Sequence, residues 1–291
     1  MPHARTLAAL AGWLLIASTV SAQADTSWFR WRPGHGLLLL ENSLEFHPAR
    51  ATEKWAPPPA GCVVADVWLQ TADGTRIHAW WYPQPGATGA LLFCHGNAGN
   101  LSRRGQAAQD LAETLGVSVL LFDYPGFGHS EGKPNEAACY AAADAAYDWL
   151  IEQQRIPGEQ IILYGKSLGG AVAADLALRR PHRALVLMKT FTSMPAMAKK
   201  LVPLTPAHRL IRNRFDTLAK IGRCPRPVIV AHGDCDRLIP LEMAQTNYRA
   251  APTPKQFFLL PGAGHNDPLP ISFLRELRAY LDEAAPIAVT H

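Results

Sequence analysis

Short, almost uninterrupted apolar runs recur along the chain at Ala90–Cys94, 117–122, 160–163, Ala184–Met188, 228–231 and 256–260. A run with no polar face is what a strand buried on both sides requires. Longer helical stretches separate these runs, at 103–115, 136–154, 168–180, 240–250 and 271–284. Alternation of this kind predicts an α/β fold, a mainly parallel sheet with helices on both faces. Two further β-rich runs, 63–69 and Arg76–Tyr82, flank Ala72-Asp73-Gly74, a hairpin signal. The rhythm breaks between Phe191 and Arg226, where no strand pattern occurs and Pro recurs at 195, 203, 206 and 225. Met194, Met197 and Leu201, then Leu210, Ile211 and Phe215, give this stretch an apolar side. It reads as a helical insertion at the carboxyl ends of the strands, where ligands and lids belong.

The first two dozen residues stand apart. Arg5 precedes an apolar run from Leu7 to Val20, and Ala22-Gln23-Ala24 supplies small residues before Asp25. That pattern predicts a secretory signal over 1–24, and hence export to a periplasm or the exterior. The run is shorter than the roughly 18 apolar residues that span a bilayer. An uncleaved anchor is the alternative, because Trp28, Phe29 and Trp31 alternate with Arg30 and Arg32 as at a membrane interface.

Composition narrows the classes without choosing one. At 291 residues, 48% hydrophobic and 18% charged, the chain fits one globular core. A net charge of +4 is too mild for a nucleic-acid binder. Five cysteines without a CxxC pair offer neither a disulfide scaffold nor a zinc site. Cys94 and Cys139 fall in apolar stretches and are expected in the core, while a Cys224–Cys235 bridge stays open.

The sharpest chemical signal is Gly165-Lys166-Ser167-Leu168-Gly169, between a predicted strand and a predicted helix. A sharp strand-to-helix turn needs residues without side chains two before and two after its apex, and it presents the apical hydroxyl at the sheet's edge. Two nucleotide-binding readings fail. A phosphate loop ending in Gly-Lys-Ser would need glycine at position 160, which is Gln160. A dinucleotide fingerprint starting at Gly126 would need one at position 131, which is Glu131. A serine nucleophile needs a base, and the base an orienting acid. His232-Gly233-Asp234-Cys235-Asp236 and Gly262-Ala263-Gly264-His265 each follow their own predicted strand, in the order serine, acid, histidine.

These blocks resemble the α/β-hydrolase superfamily over most of residues 63–284. The resemblance also rests on Phe93-Cys94-His95-Gly96-Asn97-Ala98-Gly99-Asn100 and on Asp123-Tyr124-Pro125-Gly126-Phe127-Gly128-His129-Ser130-Glu131-Gly132. The likeness is to short-lid serine hydrolases with an HGNA block, among them serine-aminopeptidase-like sequences and protein depalmitoylases. It implies Ser167 as nucleophile, His265 as base and Asp236 as acid, with the backbone N–H groups of Asn97 and Leu168 forming an oxyanion hole. Ester or thioester cleavage through an acyl-enzyme follows, without metal or organic cofactor. A peptidase or amidase, or a silent binding protein on the same fold, is the alternative. Domain limits are then a preamble at 25–60, the catalytic domain at 61–285 with its lid near 191–226, and a tail at 286–291.

Asp234 remains a rival to Asp236. Asp267 is read as a surface or capping acid, and His95 and His232 as structural turn residues. Asp123 and Ser130 are read as braces of a glycine-bearing turn. Lys166 is read as a solvated or turn-packing side chain, with substrate contact as the alternative. From Lys189 to Arg226 nine basic residues accompany one acid, Asp216. That asymmetry is either a solvated surface or a face for anionic lipid headgroups or an anionic substrate. The expected partner is a small-molecule or lipid ester, with peripheral contact to anionic membrane and no nucleic acid.

Overall fold

The computed structural model describes residues 42, 46–201 and 206–287. The predicted leader and the end of the tail lie outside them. In chain order the strands are β1 (His47–Pro48), β2 (Ala65–Gln70), β3 (Arg76–Tyr82), β4 (Ala90–Cys94), β5 (Ala98–Gly99), β6 (Ser118–Phe122), β7 (Ile161–Lys166), β8 (Ala184–Met188), β9 (Val228–Gly233) and β10 (Lys255–Leu260). The helices are α1 (Gly105–Leu115), α2 (Glu136–Glu152), α3 (Leu168–Ala177), α4 (Met194–Leu201), α5 (Thr217–Ile221), α6 (Leu241–Ala250) and α7 (Ile271–Ala284).

Eight strands make one sheet in the order β10-β9-β8-β7-β4-β6-β3-β2. Only β3 runs against its neighbours, pairing antiparallel with β2 and β6. The apolar runs fill both faces as their pattern predicts. Leu91 and Phe93 of β4 join a layer with α1 and α7, whereas Ala90, Leu92 and Cys94 join the opposite layer with α2, α3 and α6. Alternation of neighbouring side chains is what lets one strand serve two cores.

Local chemistry sets the ends of the elements. Asn135 Oδ1 accepts the Ala138 N–H at 2.9 Å and starts α2. Gly116, at φ 66°, closes α1 in the left-handed conformation that glycine adopts without strain. The hairpin turn is closed by the Thr71 N–H donating to the Thr75 carbonyl at 3.0 Å. Strands β7 and β9 run further than their apolar cores, through Tyr164-Gly165-Lys166 and His232-Gly233, because their neighbours continue the ladder. Gly165 pairs with Cys94, and Lys166 with Met188. The carboxyl edge is thus rigid up to the residues of interest.

Among the described residues of 191–226 there is no strand. The stretch divides in two: α4 and a 3-10 turn at Pro206–Arg209 are insertion proper, whereas α5 is the crossover helix leading into β9. The five cysteines are all free, Cys224 buried and Cys235 exposed, so the Cys224–Cys235 bridge does not form.

The end of the preamble is woven into the domain. Strand β1 pairs in parallel with β5, so that the Ala49 N–H donates to the Gly99 carbonyl at 2.8 Å and the His47 N–H to the Asn97 carbonyl at 3.3 Å. Buried Asn100 fastens the same strap, its Nδ2 donating to the carbonyls of Lys54 (2.6 Å) and Ala49 (3.1 Å). Its Oδ1 accepts the Ser102 N–H at 3.2 Å and caps the following turn. Asn100→Ala strips the donor from two carbonyls and removes the cap, which should cost about 2–4 kcal/mol. A lower urea midpoint and faster proteolysis between residues 49 and 56 are the expected results.

Candidate active site

Ser167 stands between β7 and α3 at φ 56° and ψ −120°. A non-glycine residue there stores about 1–3 kcal/mol of strain and needs surroundings that enforce it. The enforcement is visible. A Cβ on Gly165 would strike the Gly169 carbonyl and the Gly170 backbone, and one on Gly169 would strike the carbonyl of Cys94. The Ser167 N–H donates to the Met188 carbonyl at 2.9 Å, which pins the apex to β8. The Leu168 N–H opens α3 and has no acceptor within the helix. Across from it, Asn97 lies between β4 and β5, on the loop that the N-terminal strap holds.

Asp236 and His265 come together at the ends of β9 and β10. His265 Nδ1 lies 2.7 Å from Asp236 Oδ2, and the Asp236 carboxylate is shut off from solvent. Its other oxygen accepts the N–H groups of Leu238 and Ile239, each at 2.9 Å. Burial alone would raise the Asp236 pKa; the bond and charge of His265, with those two N–H groups, outweigh it and hold the carboxyl below its usual value. Asp234 does other work, accepting the Gly262 N–H at 2.6 Å. Of the two acids in the loop, Asp236 is the one bonded to the histidine. No hydrogen bond joins Ser167 Oγ to His265 among the described residues; such contacts commonly tighten only with substrate bound.

Two features that positional reading of the sequence passes over bring these loops together. Gly233 meets the carbonyl of Ala263 so closely that a Cβ would collide with it. Lys189, grouped by sequence with the basic lid, is wholly buried at the end of β8, at φ 51°. Its Nζ donates to the carbonyl of Gly264 at 2.5 Å and lies 3.5 Å from that of Asp267, gripping the turn that carries His265. Burial lowers the Lys189 pKa, while Asp236 and Asp267 pull the other way. The available signal was its place immediately after five apolar residues of a strand. Asp267 completes the turn by accepting the Gly264 N–H at 2.7 Å.

The remaining candidates brace this frame. His95 Nδ1 lies 2.7 Å from the Gly96 carbonyl, and its Nε2 is 3.2 Å from buried Asp123. Asp123 Oδ1 accepts the Leu101 N–H at 2.8 Å, and Ser130 Oγ accepts the His78 N–H at 2.9 Å. His232 Nε2 lies 2.9 Å from the Ile239 carbonyl, and burial lowers its pKa. Each side chain fixes a turn at the carboxyl edge.

A family model described as the alpha/beta hydrolase fold matches residues 89–208. The chain is 39% identical over 232 residues to an uncharacterized protein of Mycobacterium tuberculosis, a match covering 78% of this chain and 81% of the relative. It is 36% identical over 210 residues to the alpha/beta hydrolase domain-containing protein aho-3 of Caenorhabditis elegans, covering 72% of this chain and 62% of that one. The solved esterase Pf2001 of Pyrococcus furiosus superposes with a TM-score of 0.65 at 19% identity, covering 82% of this chain and 100% of that one. The chain belongs to the α/β-hydrolase superfamily. Fold and relatives together support an enzyme of hydrolase type.

A depressed carboxyl pKa has a consequence for stability. Asp236 stabilises the fold fully above its ordinary value of 3.8 and loses that contribution as pH falls through the lower, folded-state value. Asp236→Asn should therefore flatten the acid limb of a plot of urea midpoint against pH. An unchanged limb would mean that the carboxylate is not held in this way.

Proposed function

We propose that the chain is a serine hydrolase that cleaves a carboxylic ester or thioester through an acyl-enzyme. The carrying observation is the 2.7 Å bond between Asp236 and His265, at the same sheet edge as the strained Ser167 apex. The carboxylate holds the imidazole by Nδ1 and leaves Nε2 to act as base. As Nε2 takes the Ser167 hydroxyl proton, Oγ bonds to the carbonyl carbon. The resulting oxyanion is met by the backbone N–H groups of Asn97 and Leu168. The bond to the leaving oxygen or sulfur then breaks, and that atom takes its proton from His265. Water, deprotonated by His265, attacks the acyl-enzyme; the bond to Ser167 Oγ breaks, Oγ takes the proton back from His265, and the acid is released.

The proposal includes export by the leader at 1–24 and peripheral contact of the lid with anionic lipid. Most of the basic residues in that stretch are exposed, and two are withdrawn from such contact. Lys189 is buried and Lys220 is bound to Asp175 at 2.9 Å, leaving Lys199, Lys200, Arg209 and their neighbours exposed. No helix among the described residues is long and apolar enough to cross a membrane.

A fluorophosphonate probe tests the nucleophile. One adduct on Ser167, located by mass spectrometry and absent from Ser167→Ala, is expected. Ester turnover should fall about 10⁶-fold in Ser167→Ala and about 10⁴-fold in Asp236→Asn. A folded, monodisperse protein that takes no label and turns over no ester would favour a binding role for the fold. Faster turnover of anilides than of matched aryl esters would favour the amidase reading.

A further inference from the structure

Lys166 and Arg104 are two cations without an ion-pair partner among the described residues. Lys166 immediately precedes Ser167, and Ile162 and Tyr164 before it on β7 pack into the layer shared with α1 and α7. Strand alternation puts Lys166 on that same face, at its carboxyl rim. Arg104 stands at the rim too, one residue before α1, and its Nη2 donates to the Ala98 carbonyl of the loop bearing Asn97 at 2.9 Å. Its Nε is buried without a hydrogen-bond acceptor. Neither side chain forms an ion pair among the described residues, and both are only half-buried.

The acids facing them are already committed. Asp236 and Asp267, which face Lys166, are bonded to His265 and to the Gly264 N–H, and Asp123, which faces Arg104, accepts the Leu101 N–H. The third cation of the group, Lys189, is satisfied by backbone carbonyls. Two partly desolvated cations without ion pairs at one rim of the sheet, one of them adjoining Ser167, cost stability and invite an anion. We propose that Lys166 and Arg104 form a subsite for an anionic oxygen group, a carboxylate or a phosphate, a few bonds from the scissile carbonyl of the substrate. This inference rests on the serine-hydrolase reading and narrows it to anionic esters or thioesters.

Burial, with Arg104 and Lys189 as like charges, lowers the Lys166 pKa to about 8 against the opposing pull of Asp236 and Asp267. Lys166 therefore carries its charge at pH 7 and loses it above pH 8, and any preference that depends on it fades over the same range. The test compares neutral esters with anionic twins: 4-nitrophenyl valerate against 4-nitrophenyl hydrogen glutarate, and phenyl butyrate against 3-carboxyphenyl butyrate. The two pairs place the charge on the acyl or the leaving side. At pH 7 one anionic ester should exceed its twin in kcat/KM by about tenfold. The advantage should shrink by pH 9.5 in the wild type and vanish in Lys166→Met. Lys166→Arg should keep it at both pH values, because a guanidinium does not titrate there.

Inorganic phosphate supplies a readout that needs no variant. It should compete with phenyl butyrate at pH 7 and compete less at pH 9.5; competition by phosphate without any preference for the carboxylate esters would assign the subsite to phosphate-bearing substrates. Equal kcat/KM for both twins in both pairs, with no competition by phosphate, overturns the subsite while leaving the hydrolase reading intact. Failure to turn over any ester or to take the fluorophosphonate overturns the hydrolase reading, and the subsite with it.

Discussion

Everything at the carboxyl edge depends on how closely α3 approaches the sheet. Gly165 and Gly169 sit where side chains would collide with backbone, and Gly170 sits against the Thr190 side chain. With those contacts in place, the chain has no relaxed route from strand to helix. Ser167 is left at the apex in a conformation that a free serine avoids. The strain is local, and the ladders of β4 and β8 on either side of β7 hold it. The loops of His95, Asp236 and His265 then arrange themselves around a fixed point.

Electrostatics form the second layer. Asp236 is buried but amply hydrogen-bonded, so it keeps its charge at neutral pH. Lys189 lies beneath the His265 turn with backbone oxygens as acceptors, and its charge faces Asp236 and Asp267. A buried charge is tolerated when its hydrogen-bonding capacity is used and an opposite charge is near. By that criterion Asp236 and Lys189 are settled, and Lys166 and Arg104 are not. The contrast within one cluster separates side chains that build the site from those left over for a ligand.

The strands were legible because both-face burial writes itself locally, as in Ala184–Met188, where all five residues are apolar and all five are buried. The Ser167 turn was legible for the same reason, since its glycines lie within two residues of the apex. Less legible were contacts between segments distant in the chain. Lys189 meets Gly264 across 75 residues, and no period or motif links the two. Charge counting placed it in the lid, whereas the register of β8 buries it. The end of the 25–60 preamble posed the same problem: proline and aromatic content mark it as irregular, yet two residues of it pair with β5. Spacing from His232-Gly233 in the resemblance already favoured Asp236 over Asp234, and the loop bonds Asp236 to His265 and Asp234 to the Gly262 N–H.

The strap also has a mechanical meaning. Residues 46–51 meet the body at three places in turn: buried Phe46 packs on Phe215, β1 pairs with β5 beside the Asn97 loop, and Ala49 and Ala51 exchange backbone hydrogen bonds with Gly128. A load applied through the chain upstream of residue 46 would meet buried Phe46 first and the two-residue ladder next, before it reached the eight-stranded sheet. Once Phe46 left its pocket the short ladder would yield, releasing the loop that bears Asn97 while β7, β8 and β9 kept their register. A pull on the front of the chain is therefore passed, through Phe46 and β1, to the Asn97 loop at the carboxyl edge.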